Sequence, residues 1–419
     1  MRRLLIAGLM VSAAGSAAAE TVSIRVHYAI PTIWAETQKA LEAAFEARHP
    51  GIDIVLDGPA ESYAEGVQRL LREAVAGTLP DVAYVGLNRW RILEARGLTQ
   101  PLDGFLGDRA AAAEAGYTGA LLSLGQYKGV QHALATSAST LVMYVNPDLV
   151  ARAGGSMEDF PTTWDGVIAL AARIDALGDD IDGIWIDRHD WRFQSLLGSF
   201  GGRPMNEDET DITFDDEAGI AAATLYRRFA QEAGMKSYGD DQARQAYPAG
   251  TLGIMLESSS LLARFQKAAG SRFEVTVRKL PIAASDPSRV YFPTGGSAIV
   301  MLTDDPAKQK AAWEYMRFVT GPEGAKIIVE NTGYAPTNAL VLKDESYLGA
   351  FYAANPQAKV AHEQVAEHAG PWYAYPGAEG VAVTDLIAAA LVEITEGADP
   401  ETRIKALAET LRERLGMKR

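Results

Sequence analysis

The sequence predicts a protein of two α/β lobes, each built on a sheet covered by helices. The first observation is the length of 419 residues, which is enough for two domains with well-buried cores. The second is an alternation of strand and helix patterns that begins at Val22, and the third is its return at Thr140. Strands that alternate with helices are typical of a parallel sheet with helices on its faces.

The first half of the chain begins with apolar side chains that alternate at Val22, Ile24 and Val26. This alternation predicts a strand, and Pro31 then begins a helix whose Trp34 and Phe45 share one buried face. The elements predicted next are a strand at 52–56, a helix at about 62–76 and a strand at 81–86.

The alternation resumes with a strand at 140–145, a helix that begins near Trp164 and a strand at 183–186. Later in the chain the sequence predicts strands at 252–257, 273–281 and 295–302. It also predicts helices at about 216–233, 306–320, 322–331, 344–354, 380–395 and 400–416. The C-terminal third is therefore mostly helical, and the chain is expected to cross between the lobes more than once.

The first 19 residues have the pattern of a secretory signal peptide. Arg2 and Arg3 form a short basic region, an apolar run follows, and Ala17–Ala19 offers a small-residue cleavage site before Glu20. The run is too short for a permanent membrane helix. Cleavage near Ala19–Glu20 and a periplasmic location are expected.

The chain has no cysteine, which excludes disulfides and a lipid on an N-terminal cysteine. A freely soluble, monomeric periplasmic protein is the simplest expectation. Without Arg2 and Arg3, 37 basic residues stand against 54 acidic ones, a net charge of −17. Such a surface repels nucleic acid and anionic lipid, so neither a nucleic-acid partner nor stable membrane insertion is expected.

Patterns for catalysis and metal binding are incomplete. The histidines of HEQVAEH (362–368) are six residues apart, whereas two ligands on one helix face need a spacing of four. The acidic stretch 178–189 lacks the first and last ligands of a calcium loop, and no glycine pair completes a nucleotide-binding loop. We therefore expect no metal, no cofactor and no catalysis. A secreted carbohydrate-active enzyme with an unmarked carboxylate pair remains the alternative from another class.

Aromatic residues are instead frequent at the ends of elements and in turns. They are Tyr28, Tyr63, Trp191, Phe292, Tyr334, Trp372, Tyr373 and Tyr375. Aromatic rings that stack on apolar ring faces, with amides and hydroxyls for orientation, suit a neutral polar ligand such as a carbohydrate.

Several stretches in the right order resemble family 1 extracellular solute-binding proteins of ABC importers. The first is STLVMYVNPDLVARAG with PTTWDGVIALAARI, and the others are YPAGTLGIMLESSS, GGSAIVM, AAWEYMRFVTGPEGAKIIVENTGYAPTNAL and FYAANPQA. Within this maltose-binding-like family, NTGYAPT and FYAANP point toward the glycerol-3-phosphate-binding branch. The resemblance implies a type II periplasmic-binding-protein fold with a ligand cleft between hinged lobes, and a membrane permease as partner. It places lobe 1 at 20–135 and 293–338, and lobe 2 at 136–292 and 339–419.

The resemblance also transfers ligand-binding positions onto this chain. They are Tyr28, Tyr63, Ser139 (with Ser137 in competition), Trp191, Ser258 or Ser259, Gly295, Gly296 and Tyr334. Trp372 joins them from the aromatic pattern. Two positions depart from the glycerol-phosphate branch, because Gly86 replaces an acidic residue and Glu363 replaces an arginine. Arg89 or Arg203, from other segments, could substitute for that arginine. A carbohydrate or polyol, captured for a permease, is therefore the predicted ligand, and glycerol 3-phosphate or a glycerophosphodiester is the alternative.

Overall fold

The computed structural model describes residues 21–375 and 380–417, so the predicted signal peptide lies outside the described residues. The strands are β1 Val22–His27, β2 Ile52–Leu56, β3 Val82–Gly86, β4 Gln126–Tyr127, β5 Val130–Gln131, β6 Ala133–Ser139, β7 Leu141–Val145, β8 Asp182–Ile186, β9 Leu252–Ser258, β10 Thr276–Arg278, β11 Phe292–Pro293, β12 Gly295–Met301 and β13 Ala369–Gly370. The α-helices are α1 Pro31–Glu46, α2 Tyr63–Ala76, α3 Trp90–Glu94, α4 Asp103–Leu106, α5 Arg109–Glu114, α6 Gly119–Ser123, α7 Pro147–Arg152, α8 Trp164–Asp175, α9 Asp190–Ser199, α10 Glu217–Glu232, α11 Asp240–Ala249, α12 Leu262–Ala269, α13 Pro306–Thr320, α14 Pro322–Thr332, α15 Ala339–Lys343, α16 Glu345–Ala354, α17 Pro356–His368, α18 Gly380–Thr395 and α19 Pro400–Leu415.

Two sheets form the centres of the two lobes. The first has the strand order β2-β1-β3-β12-β6, and the second has the order β10-β7-β9-β8. The sequence predicted parallel sheets, but one strand in each runs against its neighbours: β12 in the first and β7 in the second. Both reversed strands follow a crossing from the other lobe, so each starts at the edge where its neighbours end.

Helices cover both faces of the first sheet, which explains why β3 is apolar along its whole length. Val82 and Tyr84 face one core cluster, which contains Trp34 and Phe45 of α1. Ala83 and Val85 face a second cluster on the other side of the sheet. All five residues of β3 are buried.

The second lobe has one continuous core that includes the C-terminal helices. It contains Trp164 of α8, Phe229 of α10, Ile387 of α18 and Leu411 of α19. Capping side chains begin several of these helices; for example, Asp399 accepts a hydrogen bond from the backbone N–H of Thr402. In the described residues, no helix has the length and apolar character needed to cross a membrane.

Two crossings between the lobes run through a single residue that separates two strands, and hydrogen bonds hold both of them. Thr140 separates β6 from β7; its N–H donates to Ser259 Oγ over 3.2 Å, and its carbonyl accepts from Ser259 N–H over 2.9 Å. Gln364 of α17 adds a bond from its Nε2 to Thr140 Oγ1 over 2.7 Å. Thr294 separates β11 from β12, and its N–H donates to the Gly370 carbonyl over 2.9 Å.

The chain passes between the lobes again after α14. Helices α15 and α16 pack against α14 through Val329, Val341 and Leu348. The next helix, α17, contributes Ala358 and Ala361 to the core of the second lobe. The predicted boundaries of the two lobes stay a prediction.

Candidate ligand-binding site

The candidate site lies where the carboxyl ends of the strands in both sheets meet the crossings. In the first sheet, Gly86 at the end of β3 pairs with Ser297, two residues after the start of β12. In the second sheet, Ser258 at the end of β9 pairs with Leu141, directly after a crossing. Ligands of open α/β sheets bind beyond the carboxyl ends of strands. The two sheet edges that meet at the crossings therefore form the expected cleft.

Three aromatic side chains form a wall on the side of the first lobe. The Trp34 indole N–H donates to the hydroxyl of Tyr63 over 3.0 Å, and the ring of Trp34 stacks on Tyr334 with centroids 6.1 Å apart. Tyr63 is half-buried, while Trp34 and Tyr334 are almost fully buried. Burial raises the pKa of Tyr334 to about 12. This hydroxyl is therefore neutral and able to donate and accept hydrogen bonds.

A chain of buried hydroxyl groups lies beside this wall. Ser297 Oγ is 2.7 Å from Thr136 Oγ1 and 3.0 Å from Ser137 Oγ, and Ser137 Oγ also accepts the backbone N–H of Ser297. Burial raises the pKa of Tyr63, and the neighbouring Ser297 side chain opposes this rise. The chain of hydroxyl groups therefore lies between the backbone of β12 and the aromatic wall.

Two tryptophans form the wall on the side of the second lobe. The ring centroids of Trp191 and Trp372 are 6.1 Å apart with an interplanar angle of 52°. The Trp191 indole N–H donates to the Pro293 carbonyl over 2.9 Å, and its backbone N–H donates to Nδ1 of the helix cap His189. Burial lowers the pKa of His189, which favours the neutral ring that this bond requires.

Glycines let Trp191 approach the crossing segment closely. A Cβ on Gly295 would stand 2.7 Å from Ser139 Oγ and 3.4 Å from Cζ2 of Trp191. Gly296 has φ +118°, and a Cβ there would lie 2.2 Å from the Ser137 carbonyl oxygen. The structure thus brings Ser139, Trp191, Gly295 and Gly296 together, four of the residues predicted from the sequence.

The serine turn after β9 adjoins this group. Ser259 is bonded to Thr140 of the crossing, and Ser258 Oγ lies 2.9 Å from Ser260 Oγ and caps a short 3₁₀ helix. The Ser260 side chain lies near Tyr334 and opposes the rise in the pKa of Tyr334 that burial causes, which places the turn beside the wall of the first lobe. The predicted Ser258 and Ser259 therefore organise the crossing, and their neighbour Ser260 contacts the aromatic wall.

Tyr28 and Glu363 lie apart from this arrangement in different ways. Tyr28 follows β1 and packs in the core cluster of Trp34, where burial raises its pKa. Glu363 lies on α17 with a half-exposed side chain, 3.4 Å from Lys279 Nζ. It lines a surface groove with Phe160 and Val360. The structure does not bring Glu363 to the aromatic walls.

Several residues at the two edges were not assigned to the site from the sequence: Trp34, Asn88, Asp190, Gln194 and Ser297. Arg89 comes two residues after Leu87, just past the end of β3, and is half-buried. Among the described residues, none pairs with or accepts a hydrogen bond from its guanidinium group. Burial lowers the pKa of Arg89, and its charge contributes to lowering that of His189 across the cleft. Arg89 was named from the sequence as a substitute for the missing arginine, and the polar pair Asn88–Arg89 directly after a buried strand is the signal that also identifies Asn88.

A buried ionic network supports the wall of the second lobe from behind. Glu257 accepts hydrogen bonds from Arg192 Nη2 and Arg244 Nη2, both over 2.8 Å. Burial opposes ionisation of Glu257, but the two guanidinium groups outweigh it and hold its pKa below the usual value. Arg192 also lies 3.3 Å from Asp240. Because Arg192 directly follows Trp191, the network fixes the start of α9.

Residues 40–360 match the family described as bacterial extracellular solute-binding protein. The chain belongs to this family. Family membership confirms the prediction of a solute-binding protein of the kind that serves ABC importers. The family is extracellular or periplasmic, in agreement with the predicted location.

Among relatives of this solute-binding protein, a putative binding protein of Brucella abortus (strain 2308) is 28% identical over 375 residues, covering 85% of this chain and 87% of the relative. The sn-glycerol-3-phosphate-binding periplasmic protein UgpB of Pectobacterium atrosepticum is 24% identical over 237 residues, 55% of this chain and 53% of that protein.

Solved structures share the fold of this solute-binding protein. UgpB from Mycobacterium tuberculosis in complex with glycerophosphocholine has a TM-score of 0.80 and 22% identity, and 94% of this chain covers 99% of that one. The sugar-binding protein MalE from Xanthomonas citri has a TM-score of 0.81 and 17% identity, with coverage of 94% and 98%. The predicted two-lobed α/β fold of type II is thus confirmed.

Proposed function

We propose that this protein captures a carbohydrate or polyol in the cleft between its lobes and delivers it to the transmembrane subunits of an ABC permease. The observation that supports this most is the pair of aromatic walls beside the crossings, Trp34–Tyr63–Tyr334 on one lobe and Trp191–Trp372 on the other. Aromatic rings bind the apolar faces of sugar rings, and the hydroxyl and amide groups beside them orient the sugar hydroxyls.

The protein performs this role as a monomer in the periplasm, after cleavage near Ala19–Glu20, and carries out no catalytic step. The binding residues proposed are Tyr63, Ser139, Trp191, Gly295, Gly296, Tyr334 and Trp372, with Arg89 and Asn88 as polar donors. Tyr28, Ser258 and Ser259 support them from behind. We leave Glu363 out of the binding site, because Lys279 pairs with it on the outer face of α17.

A phosphate-bearing solute is the second candidate, because Arg89 is a half-buried cation without an ion-pair partner among the described residues. The removal of Glu363 from the site also removes one argument against an anion. Arginine binds phosphate oxygens through its planar fork of N–H donors, but it also donates to hydroxyls. Arg89 therefore permits either ligand, whereas the two aromatic walls favour the sugar.

Isothermal titration of the purified protein against maltose, trehalose, sorbitol, glycerol 3-phosphate and glycerophosphocholine separates the candidates. Micromolar binding of a neutral member of this panel, with no response to the two phosphates, is the expected result. Tight binding of glycerol 3-phosphate or glycerophosphocholine alone would overturn the carbohydrate assignment. Arg89→Ala, compared with the exposed Arg72→Ala as a control, tests the site in either case.

A further inference from the structure

We propose that Asp190 is a positioning residue of this site, which holds residues 371–375 so that Trp372 stands against Trp191. These five residues, here named the aromatic strap, follow β13 and include Tyr373 and Tyr375. The inference rests on the proposed function, because it names what sets the geometry of the wall in the second lobe. Asp190 is the first residue of α9 and is almost fully buried.

The carboxylate of Asp190 collects the polar atoms of the strap's side chains. Asp190 Oδ2 accepts the indole N–H of Trp372 over 3.1 Å, and Oδ1 accepts the hydroxyl of Tyr375 over 3.5 Å. Gln194, one helical turn further along α9, donates from Nε2 to both carboxylate oxygens over 3.0 Å. The indole bond fixes the ring of Trp372, because the position of its N–H sets both side-chain torsions.

Gln194 extends the same attachment to the backbone of the strap. Its Nε2 donates to the Tyr373 carbonyl over 3.1 Å, and its Oε1 accepts the Tyr373 N–H over 3.2 Å. The strap has neither helix nor strand hydrogen bonds of its own. Its conformation therefore depends on these bonds to α9, with Asp190 as the group that orients the Gln194 amide.

Burial of the Asp190 carboxylate destabilises the fold, so a side chain whose only role was packing would not be an aspartate. Every hydrogen bond that the described residues make to this carboxylate comes from a neutral donor, and none of them forms an ion pair with it. A buried carboxylate without a cation is destabilising, and burial accordingly raises the pKa of Asp190 to about 6. A carboxylate accepts hydrogen bonds at both oxygens and can therefore bind the Trp372 indole N–H and the Gln194 amide N–H together. Asparagine has the same shape but would place its own NH2 group, a donor, against one of these two donors.

The first test needs no ligand. Asp190→Asn is expected to speed hydrogen exchange of the amides in residues 372–375 by tenfold or more and to change the near-ultraviolet circular dichroism of the Trp191–Trp372 pair. Asp165→Asn, at an exposed position with the side chain 83% accessible, is the matched control. If Asp190→Asn does not fold, Trp372→Phe removes only the indole donor and part of the ring and is expected to change exchange in the same direction. Unchanged exchange and dichroism in a folded variant overturn the proposal.

The second test separates positioning from general stability. Asp190→Asn is expected to weaken binding of the panel solute that the wild type binds by roughly tenfold, the order of one aromatic contact. In a Trp372→Ala background the same substitution is expected to cost less than twofold, because no ring remains to position. A tenfold loss in both backgrounds overturns the proposal. If the wild type binds no member of the panel, the proposed function fails, while the exchange experiment still decides the role of Asp190.

Discussion

Arg91 of the first lobe forms an ion pair with Glu209 of the second, and its guanidinium lies over the ring of Tyr127 with 4.1 Å to the centroid. Glu209 projects from a turn in which it has φ 56°, a rare conformation for a residue other than glycine. The side chains of Arg91 and Glu209 are 32% and 21% exposed, so solvent screens the pair less than a surface pair. The pair joins the lobes directly and thus favours the conformation in which they lie close together.

Breaking this pair is expected to shift the protein toward an open form. Glu209→Gln and Arg91→Ala are predicted to increase the radius of gyration in small-angle scattering without ligand. Both are also predicted to weaken solute binding by a few-fold, because a ligand must then supply the free energy of closure. Arg317→Ala, which breaks an exposed pair within α13, is the control. Identical scattering and affinity for wild type and both variants would falsify the assignment of this pair to closure.

Replacing an aromatic side chain of either wall by alanine is expected to lower the affinity for the solute. Trp191→Ala and Tyr334→Ala are each expected to weaken binding of a sugar about tenfold, since an aromatic contact contributes roughly 0.5–1.5 kcal/mol beyond its buried area. Titration calorimetry measures this, and thermal unfolding shows whether the variants fold. Trp313→Ala, a partly buried tryptophan that packs on Phe105 away from the cleft, should bind normally. Wild-type affinity in both site variants contradicts the assignment.

Gly296 is expected to tolerate no side chain. Gly296→Ala adds a Cβ that would lie 2.2 Å from a backbone oxygen, at a φ that alanine rarely adopts. Strain of this kind costs on the order of 1–3 kcal/mol, so the midpoint of urea unfolding should fall clearly. Gly58→Ala is the matched control, because a Cβ there meets no atom within 4 Å. Equal midpoints for the two variants would show that the crossing segment can relax around the methyl group.

Because His27 is buried as a neutral ring, we expect the protein to lose stability at acid pH. Burial, assisted by the charge of Arg69, lowers the pKa of His27 to about 4, and neither ring nitrogen has a hydrogen-bond partner in the described residues. The unfolded chain, with a pKa of about 6.5, binds the proton first as pH falls. The free energy of unfolding is therefore unaffected by His27 above about pH 6.5. It falls as the pH is lowered toward 4, and His27 accounts for up to about 3 kcal/mol of this fall.

Urea unfolding between pH 7 and 4.5 tests this sign. His27→Leu should flatten the pH dependence of the unfolding free energy relative to wild type. The buried Asp190 acts in the opposite direction, because its raised pKa favours the native state at low pH. The comparison therefore uses the difference between variant and wild type at each pH. The same slope in His27→Leu and wild type would exclude the role of His27.

Much of the fold was predictable from the sequence because the elements have strong local patterns. The strand at 52–56 and the helix at 306–320 have the predicted bounds. The signals that define them, namely alternation, Pro306 and apolar periodicity, lie within the elements themselves and need no knowledge of tertiary contacts. The long strand predicted at 273–281 is only β10, Thr276–Arg278, because its pairing with β7 covers these three residues and no more. The reversal of β7 and β12 could not be predicted, because it depends on where the chain crosses between lobes.

The site was predictable only where one residue type and its neighbours defined a motif. The glycine turn and Trp191 were found in this way, and the structure brings them together with Ser139. Asp190 and Gln194 were missed because their role depends on a segment about 180 residues away in the chain. Glu363 was assigned through its place in an aligned segment, but the turn of α17 directs it to Lys279. Which face of a helix meets the cleft is a property of tertiary packing.

The single-residue crossings at Thr140 and Thr294 have a mechanical consequence. Two points that belong to both bodies define a line, and rotation about that line neither stretches these two crossings nor breaks sheet pairing on either side. The third crossing, through α15 and α16, has to follow this rotation. Closure is then described by one angle, and a solute that fixes this angle removes few degrees of freedom from the protein. The conformational entropy that the protein itself loses on closure is small for that reason, so more of the contact energy remains available as affinity.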